Sequence, residues 1–224
     1  MAGFPLKQLA HVLATPIESP IKSPGAGSSG VGQAEFNQAE FNQAELAVAT
    51  SISTDSRSIV PGAVFVALRG ERFDGHEFLE QVQSQGALAA VVDRQFTGQT
   101  TLPLLRVDDT LQAYQAIGQW WRMQLSLPVI AVTGSVGKTT TKELIAAVLG
   151  TQGLVLKTQA NYNNEIGVPK TLLELTPEHD FAVIEMGMRA ATEIALLTQI
   201  ARPDIAVITN VGTAHIGRLG SEQA

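Results

Sequence analysis

Val129-Ile130-Ala131-Val132-Thr133-Gly134-Ser135-Val136-Gly137-Lys138-Thr139-Thr140 decides how this chain is read. An apolar β-branched run, Val129 to Thr133, predicts a buried strand. Two glycines, a lysine and two threonines follow and open a helical pattern over Lys138 to Leu149. Strand, glycine-rich loop and helix in that order are what a phosphate-binding loop requires. Glycines let backbone N–H groups turn towards phosphate oxygens, and the helix N-terminus adds its positive dipole end. Lys138 reaches the β- and γ-phosphates, and the Thr139 hydroxyl suits Mg²⁺. The loop reads Gly-x-x-Gly-Lys-Thr, shorter than the common Gly-x-x-x-x-Gly-Lys-Thr form. A ligand-free glycine turn is the bland alternative, and the agreement of strand, lysine, hydroxyls and helix weighs against it. The expected nucleotide contacts are Gly134, Ser135, Val136, Gly137, Lys138, Thr139 and Thr140.

Outward from this loop the pattern alternates. Further strands are predicted at Leu154 to Lys157, Phe181 to Glu185 and Ile205 to Thr209, with helices at Gly167 to Leu175 and Thr192 to Ile200. Such alternation predicts right-handed crossovers and a mainly parallel sheet. All strand carboxyl ends then share one edge, where ligands bind. Three features converge there on Lys138. Glu185 ends one strand and His215 follows another, and the run Asn161-Tyr162-Asn163-Asn164 precedes a helix. Each has a bland alternative: an acid as a helix cap, a lone exposed histidine, asparagines as turn residues. The shared edge favours function for Glu185 and His215, while Asn163 stands evenly between the two readings.

The first half has a different texture. Leu6, Leu9 and Leu13 predict a short amphipathic helix, and Ile21 to Gly32 is a Ser/Pro/Gly-rich loop. A five-residue repeat, Ala34–Gln38 and Ala39–Gln43, is too short for a solenoid and reads as a low-complexity insertion over 21–47. Strands are predicted at Val64 to Leu68, Ala87 to Val92 and Leu104 to Val107, with a helix around Glu77 to Gln85. A helix over Leu111 to Met123 closes a first domain of residues 1–126, and Pro128 marks the start of a second over 127–224. The expected fold class is α/β: a small α/β domain followed by an incomplete parallel-sheet phosphate-loop domain.

Composition limits the functions available. Cysteine is absent, which rules out disulfides and thiolate chemistry. The formal net charge of −6 disfavours nucleic acid and anionic membranes as general partners. No apolar run approaches a membrane span and the start lacks a secretory leader, so a cytoplasmic protein is expected. Ser221 to Ala224 reads as a helix cap and its first turn, which predicts that the sequence is a fragment.

These residues resemble the Mur ligase family, and within it the member that adds D-alanyl-D-alanine. The shortened loop at Gly134 is the family form. Three stretches are similar to that member: Asn161 to Leu173 (Asn-Tyr-Asn-Asn-Glu-Ile-Gly-Val-Pro-Lys-Thr-Leu-Leu), Val183 to Met188, and Ala201 to Ile216. The first domain is similar to the family's UDP-binding domain through Ser53-Thr54-Asp55-Ser56-Arg57, Pro61 to Gly70, and Phe73-Asp74-Gly75-His76.

The resemblance implies ATP-dependent, ADP-forming joining of D-alanyl-D-alanine to UDP-N-acetylmuramoyl-tripeptide through an acyl phosphate, by a monomer using Mg²⁺. By residue, Lys138 and His215 are catalytic, Asn163 joins the ATP contacts, and Thr139, Glu185 and His215 serve metal ions. Ser56 and Arg57 supply donors to the uridine diphosphate part. The resemblance places the family's metal-bridging carbamoylated lysine and third domain downstream of His215, beyond what these 224 residues are expected to hold, so weak or absent ligation by this chain alone is expected, as is an exposed, aggregation-prone sheet edge. Two other readings stay open: a nucleotide-binding module without catalysis, and a phosphate-loop small-molecule kinase.

Overall fold

The computed structural model describes residues 3–18, 46–70 and 73–212. Residues 21–45 of the low-complexity insertion, with the five-residue repeat, and also His215 and the Ser221 cap lie outside the described residues. The chain divides into two compact units, residues 1–113 and 114–224.

The first unit is built on a five-stranded sheet. Its elements are β1 (Phe4–Pro5), α1 (Leu6–Val12), β2 (Ile17–Glu18), β3 (Val48–Ala49), β4 (Ile52–Ser53), β5 (Val64–Val66), a 3₁₀ turn (Gly75–Phe78), α2 (Leu79–Ser84), β6 (Ala89–Asp93) and β7 (Leu104–Val107). The sheet order is β2-β7-β6-β5-β4, with β4 to β7 parallel and β2 antiparallel on the edge. All three residues of β5 are buried, as expected of a parallel strand covered on both faces. Phe65, Ala67, Leu79, Val82, Ala90 and Val92 form the core on one side of that sheet. β1 and β3 make a separate antiparallel pair. The two-residue strands carry no readable periodicity, and the sequence pattern does not reveal them.

The second unit contains β8 (Val129–Thr133), α4 (Lys138–Leu149), β9 (Val155–Lys157), α5 (Gly167–Leu173), β10 (Phe181–Glu185), α6 (Glu193–Ala201) and β11 (Ile205–Ile208), with α3 (Thr110–Met123) entering it from the division point. Its sheet is wholly parallel in the order β11-β8-β10-β9. The loop strand β8 is thus central, between β10 and β11. α4 lays Ala146, Ile145 and Leu149 over Ile130, Val132 and Val183. A fully buried aliphatic side chain contributes roughly 1.5–3 kcal/mol, so this cluster fixes the helix that begins at Lys138.

The sequence pattern ends the first domain at residue 126, whereas contacts divide the chain at Ala113/Tyr114. The reason is the partner of α3. From Tyr114 onward this helix packs within the second unit: Trp121 Nε1 donates to Leu175 O at 2.9 Å, Gln115 Nε2 to Glu165 O at 3.1 Å, and Gln119 Nε2 to Gln199 O at 2.8 Å. Periodicity identifies an apolar face without saying what will cover it.

Candidate functional site

The loop between β8 and α4 is shaped by backbone that most residues cannot adopt. Gly134 has φ +137°, and a Cβ there would meet Thr209 Oγ1 at 2.1 Å and Asn210 N and O at 3.0 Å. The close neighbours belong to the segment after β11, and they latch the loop. Thr209 Oγ1 donates to Val136 O at 2.6 Å, Asn210 Oδ1 accepts from Val136 N at 3.0 Å, and Asn210 O accepts from Ser135 N at 3.2 Å. Gly212 N adds a bond to Ser135 Oγ at 2.9 Å. The amides of Ser135 and Val136 are therefore held by Asn210. The donors that helix geometry leaves without intrahelical partners are those of the first turn of α4, beginning at Lys138. Lys138 Nζ donates to Gly134 O at 2.6 Å, so the ammonium lies across the mouth of the loop.

Beside that ammonium, the end of β10 delivers an acid. Glu185 is 2% exposed, and its carboxylate is held from three directions. Thr139 Oγ1 donates to Oε2 at 3.0 Å, Asn163 Nδ2 donates to Oε1 at 2.9 Å, and Lys142 Nζ stands 3.7 Å from Oε2. The parallel sheet accounts for the meeting: β8 and β10 pair in register, Glu185 opposite Val132, so both strands end on the same edge. A cavity of about 190 Å³ opens here, lined by Lys138, Asn163, Glu165, Gly187, Arg189 and Glu193 among others.

The asparagine run divides its labour. Asn163 faces Glu185, and its carbonyl accepts Gly187 N at 2.8 Å. Asn164 Oδ1 accepts from Ile166 N at 3.3 Å and Gly167 N at 2.9 Å, capping α5. A turn-type cap and a bond to Glu185 are thus both present, on neighbouring residues. Tyr162 lies under the Lys170 ammonium, 3.9 Å from the ring centroid. On the outer face of α4, Lys157 and then Lys142 hold the Glu143 carboxyl below the usual carboxylate range.

A hydroxyl 3.0 Å from an aligned carboxylate, beside a helix N-terminus that presents amides and an ammonium, fits a hard divalent cation. Mg²⁺ takes one or two protein oxygens and completes its shell with water and phosphate oxygens. Thr139 and Glu185 are such a donor set. No group of three or more metal-binding His, Cys, Asp or Glu side chains occurs among the described residues. His215 lies outside them.

In the first unit, the carboxyl ends of β4, β5 and β6 also share an edge. Arg57 Nε and Nη2 donate to the two Asp55 oxygens, at 2.8 and 2.7 Å, and this pairing raises the guanidinium's already high pKa. The Arg57 side chain is 84% exposed, while Ser56 is buried and its carbonyl accepts from Gln81 Nε2 at 3.0 Å. Nearby in the fold, Arg69 bridges Asp74 and Asp93. Buried His76 joins the same group: its Nε2 accepts from Asp93 N at 2.9 Å, so Nδ1 carries the proton that faces Asp74. Partial burial pushes the Asp74 carboxyl up, but the bonds from His76 and Arg69 outweigh it and hold the group below its usual value. Gly75 is required here, because a Cβ would meet Leu68 O at 2.7 Å.

Sequence reasoning missed Thr209 and Asn210, which latch the loop, and Lys142 beside Glu185. Only the position of Asn210 after a strand hinted at its role.

The fold and loop of the second unit define a phosphate-loop nucleotide-binding α/β domain. The description "Mur ligase family, catalytic domain" matches residues 48–117 and "Mur ligase middle domain" matches residues 132–224. The chain belongs to the Mur ligase family. It is 62% identical over 175 residues to a UDP-N-acetylmuramoyl-tripeptide–D-alanyl-D-alanine ligase of Synechocystis, covering 78% of this chain and 38% of that protein. With the ligase of the same name from Escherichia coli it shares 46% over 171 residues, 76% of this chain and 37% of the relative. Among solved structures, MurF from Acinetobacter baumannii superposes with a TM-score of 0.81 at 35% identity, over 100% of this chain and 44% of that one. MurF from Thermotoga maritima, solved in complex with ADP, superposes with a TM-score of 0.70 at 34% identity, over 77% and 40%. The chain therefore spans about two fifths of the length of these relatives.

Proposed function

We propose that this chain carries the nucleotide site of an ATP-dependent, ADP-forming ligase that joins D-alanyl-D-alanine to UDP-N-acetylmuramoyl-tripeptide. The observation that carries the reading is the Thr139–Glu185 pair set beside Lys138 at the carboxyl edge of a parallel sheet. The 62% identity to a ligase of that activity supports the substrates.

In this reading the loop from Gly134 to Thr140 and the first turn of α4 cradle the phosphates of ATP. Lys138 leaves the Gly134 carbonyl for a β- or γ-phosphate oxygen. The γ-phosphorus is attacked by a terminal carboxylate oxygen of the tripeptide, the bond to the β-phosphate oxygen breaks, and ADP departs. The D-alanyl-D-alanine amine then adds to the acyl carbon. The tetrahedral adduct collapses with loss of inorganic phosphate, and the former amine gives up a proton. Mg²⁺, when bound, neutralises phosphate charge. Thr139 and Glu185 would hold it, with Asn163 fixing the Glu185 carboxylate. His215 is assigned to a second ion. The protein's contribution is positioning and charge neutralisation, as in phosphoryl transfer generally. Ser56 and Arg57 are assigned to the uridine diphosphate end. No helix among the described residues is long and apolar enough to cross a membrane, and a cytoplasmic monomer fits the soluble substrates.

Calorimetric titration of the chain with Mg²⁺-ATP and with UDP-N-acetylmuramoyl-tripeptide tests this. Both are expected to bind, and Lys138→Ala should remove ATP binding alone. Binding of ATP without the UDP compound would instead favour a bare nucleotide module or a kinase.

A further inference from the structure

Lys142 follows Lys138 by four residues on α4 and is 2% exposed, while nothing in the reaction described above uses it. A buried ammonium has to be matched by partners. Its Nζ donates to Thr158 O at 2.8 Å and lies 3.2 Å from Glu143 Oε1 and 3.7 Å from Glu185 Oε2. Thr158, completely buried just after β9, accepts the backbone N–H of Glu185 on its hydroxyl at 2.9 Å and donates its own N–H to Val183 O at 3.0 Å. One ammonium thus joins the phosphate-loop helix, the end of β9 and the acid that ends β10. It grips Glu185 twice, directly through the carboxylate and indirectly through Thr158.

We propose that Lys142 is a positioning residue for the divalent-cation site, anchoring the Glu185 carboxylate in the orientation that meets the Thr139 hydroxyl. The proposal rests on the nucleotide-site reading above.

Two physical roles predict opposite signs. As a mere neighbouring positive charge, Lys142 would repel a cation, and its removal would tighten Mg²⁺ binding. As an anchor, its loss leaves the buried Glu185 carboxylate without its charged partner and free to leave the orientation that Thr139 and Asn163 share. Removal then weakens Mg²⁺ binding. Loss of a group that orients a metal ligand costs about 10–100-fold in metal affinity.

The experiment measures binding of a fluorescent ADP analogue to the full chain, first in EDTA and then across an Mg²⁺ titration. Lys142→Met is expected to raise the Mg²⁺ concentration for half-maximal enhancement about tenfold while leaving affinity in EDTA unchanged. Thr158→Val removes the hydroxyl but keeps the carbonyl that Lys142 uses, and should shift the Mg²⁺ requirement the same way by less. An unchanged or lowered Mg²⁺ requirement in Lys142→Met overturns the proposal, and so does an equal loss of binding in EDTA. If Lys142→Met does not fold, Thr158→Val decides, and no shift there overturns it. Failure of the unaltered chain to bind the ADP analogue would refute the nucleotide reading itself, and shows before any variant is made.

Discussion

The phosphate loop of the second unit and the Asp55–Arg57 turn of the first both follow a parallel strand at its carboxyl end, yet they are held in opposite ways. The loop is latched by residues far away in sequence: Thr209 and Asn210 grip Ser135 and Val136, and Glu185 grips Thr139. The Arg57 side chain of the turn is held by a near neighbour, since it pairs with Asp55 two residues earlier with its guanidinium in solvent, and a longer bond runs from Gln81 Nε2 to the Ser56 carbonyl. A site closed by long-range bonds transmits a local change into fold stability. A site closed by near neighbours can open for a ligand without disturbing the sheet.

Substitutions should expose that contrast. Gly134→Ala carries the largest expected effect, because it combines a positive φ with a clash against Thr209 and Asn210. It should destabilise the second unit by about 2–4 kcal/mol in denaturant unfolding and abolish nucleotide binding. If nucleotide still bound with unchanged stability, the latch would be no constraint. Lys138→Ala comes next: ADP affinity should fall about a hundredfold in equilibrium titration, with the melting temperature preserved. A parallel fall in melting temperature would mean that Lys138 holds the loop rather than the phosphate.

The local turn should behave differently. Arg57→Ala is expected to leave melting unchanged and to weaken binding of UDP-N-acetylmuramoyl-tripeptide about tenfold. Unaltered affinity in calorimetry would remove Arg57 from the substrate site.

The smallest effect concerns pH. The folded Asp74 carboxyl titrates below its ordinary value, so its contribution to stability is present above the unfolded value of about 4 and lost as pH falls through the folded one. Asp74→Asn should therefore lower the first unit's melting temperature slightly near neutrality, and the two curves should converge as pH falls below about 4. A curve parallel to that of the unaltered chain would show that the His76 and Arg69 bonds do not favour the charged form.

Much of this was readable in the residues themselves. Val129–Thr133, Phe181–Glu185 and Lys138–Leu149 have the bounds their patterns predict, because buried parallel strands and the helix over them carry long apolar signals. The meeting of Glu185 with Thr139 followed from one rule, that parallel strands share a carboxyl edge. The short strands at Phe4, Ile17, Val48 and Ile52 carry too few residues for a period. The partner of α3 was likewise hidden, since an amphipathic helix announces a face and not what the face meets.

Sequence alone determined the parallel alternation, the shortened loop, the family resemblance and the set of donors at one sheet edge. These depend on local spacing and on the chirality of strand crossovers, which every chain of this pattern obeys. Tertiary structure decided which of those donors touch. Lys142 reads as an ordinary helix lysine until β9 and β10 enclose it, and Asn210 reads as a turn residue until its carbonyl and side chain close on the loop 74 residues earlier. Such roles arise from contacts between segments far apart in the chain, and no local pattern encodes which distant group will fill a given hydrogen bond.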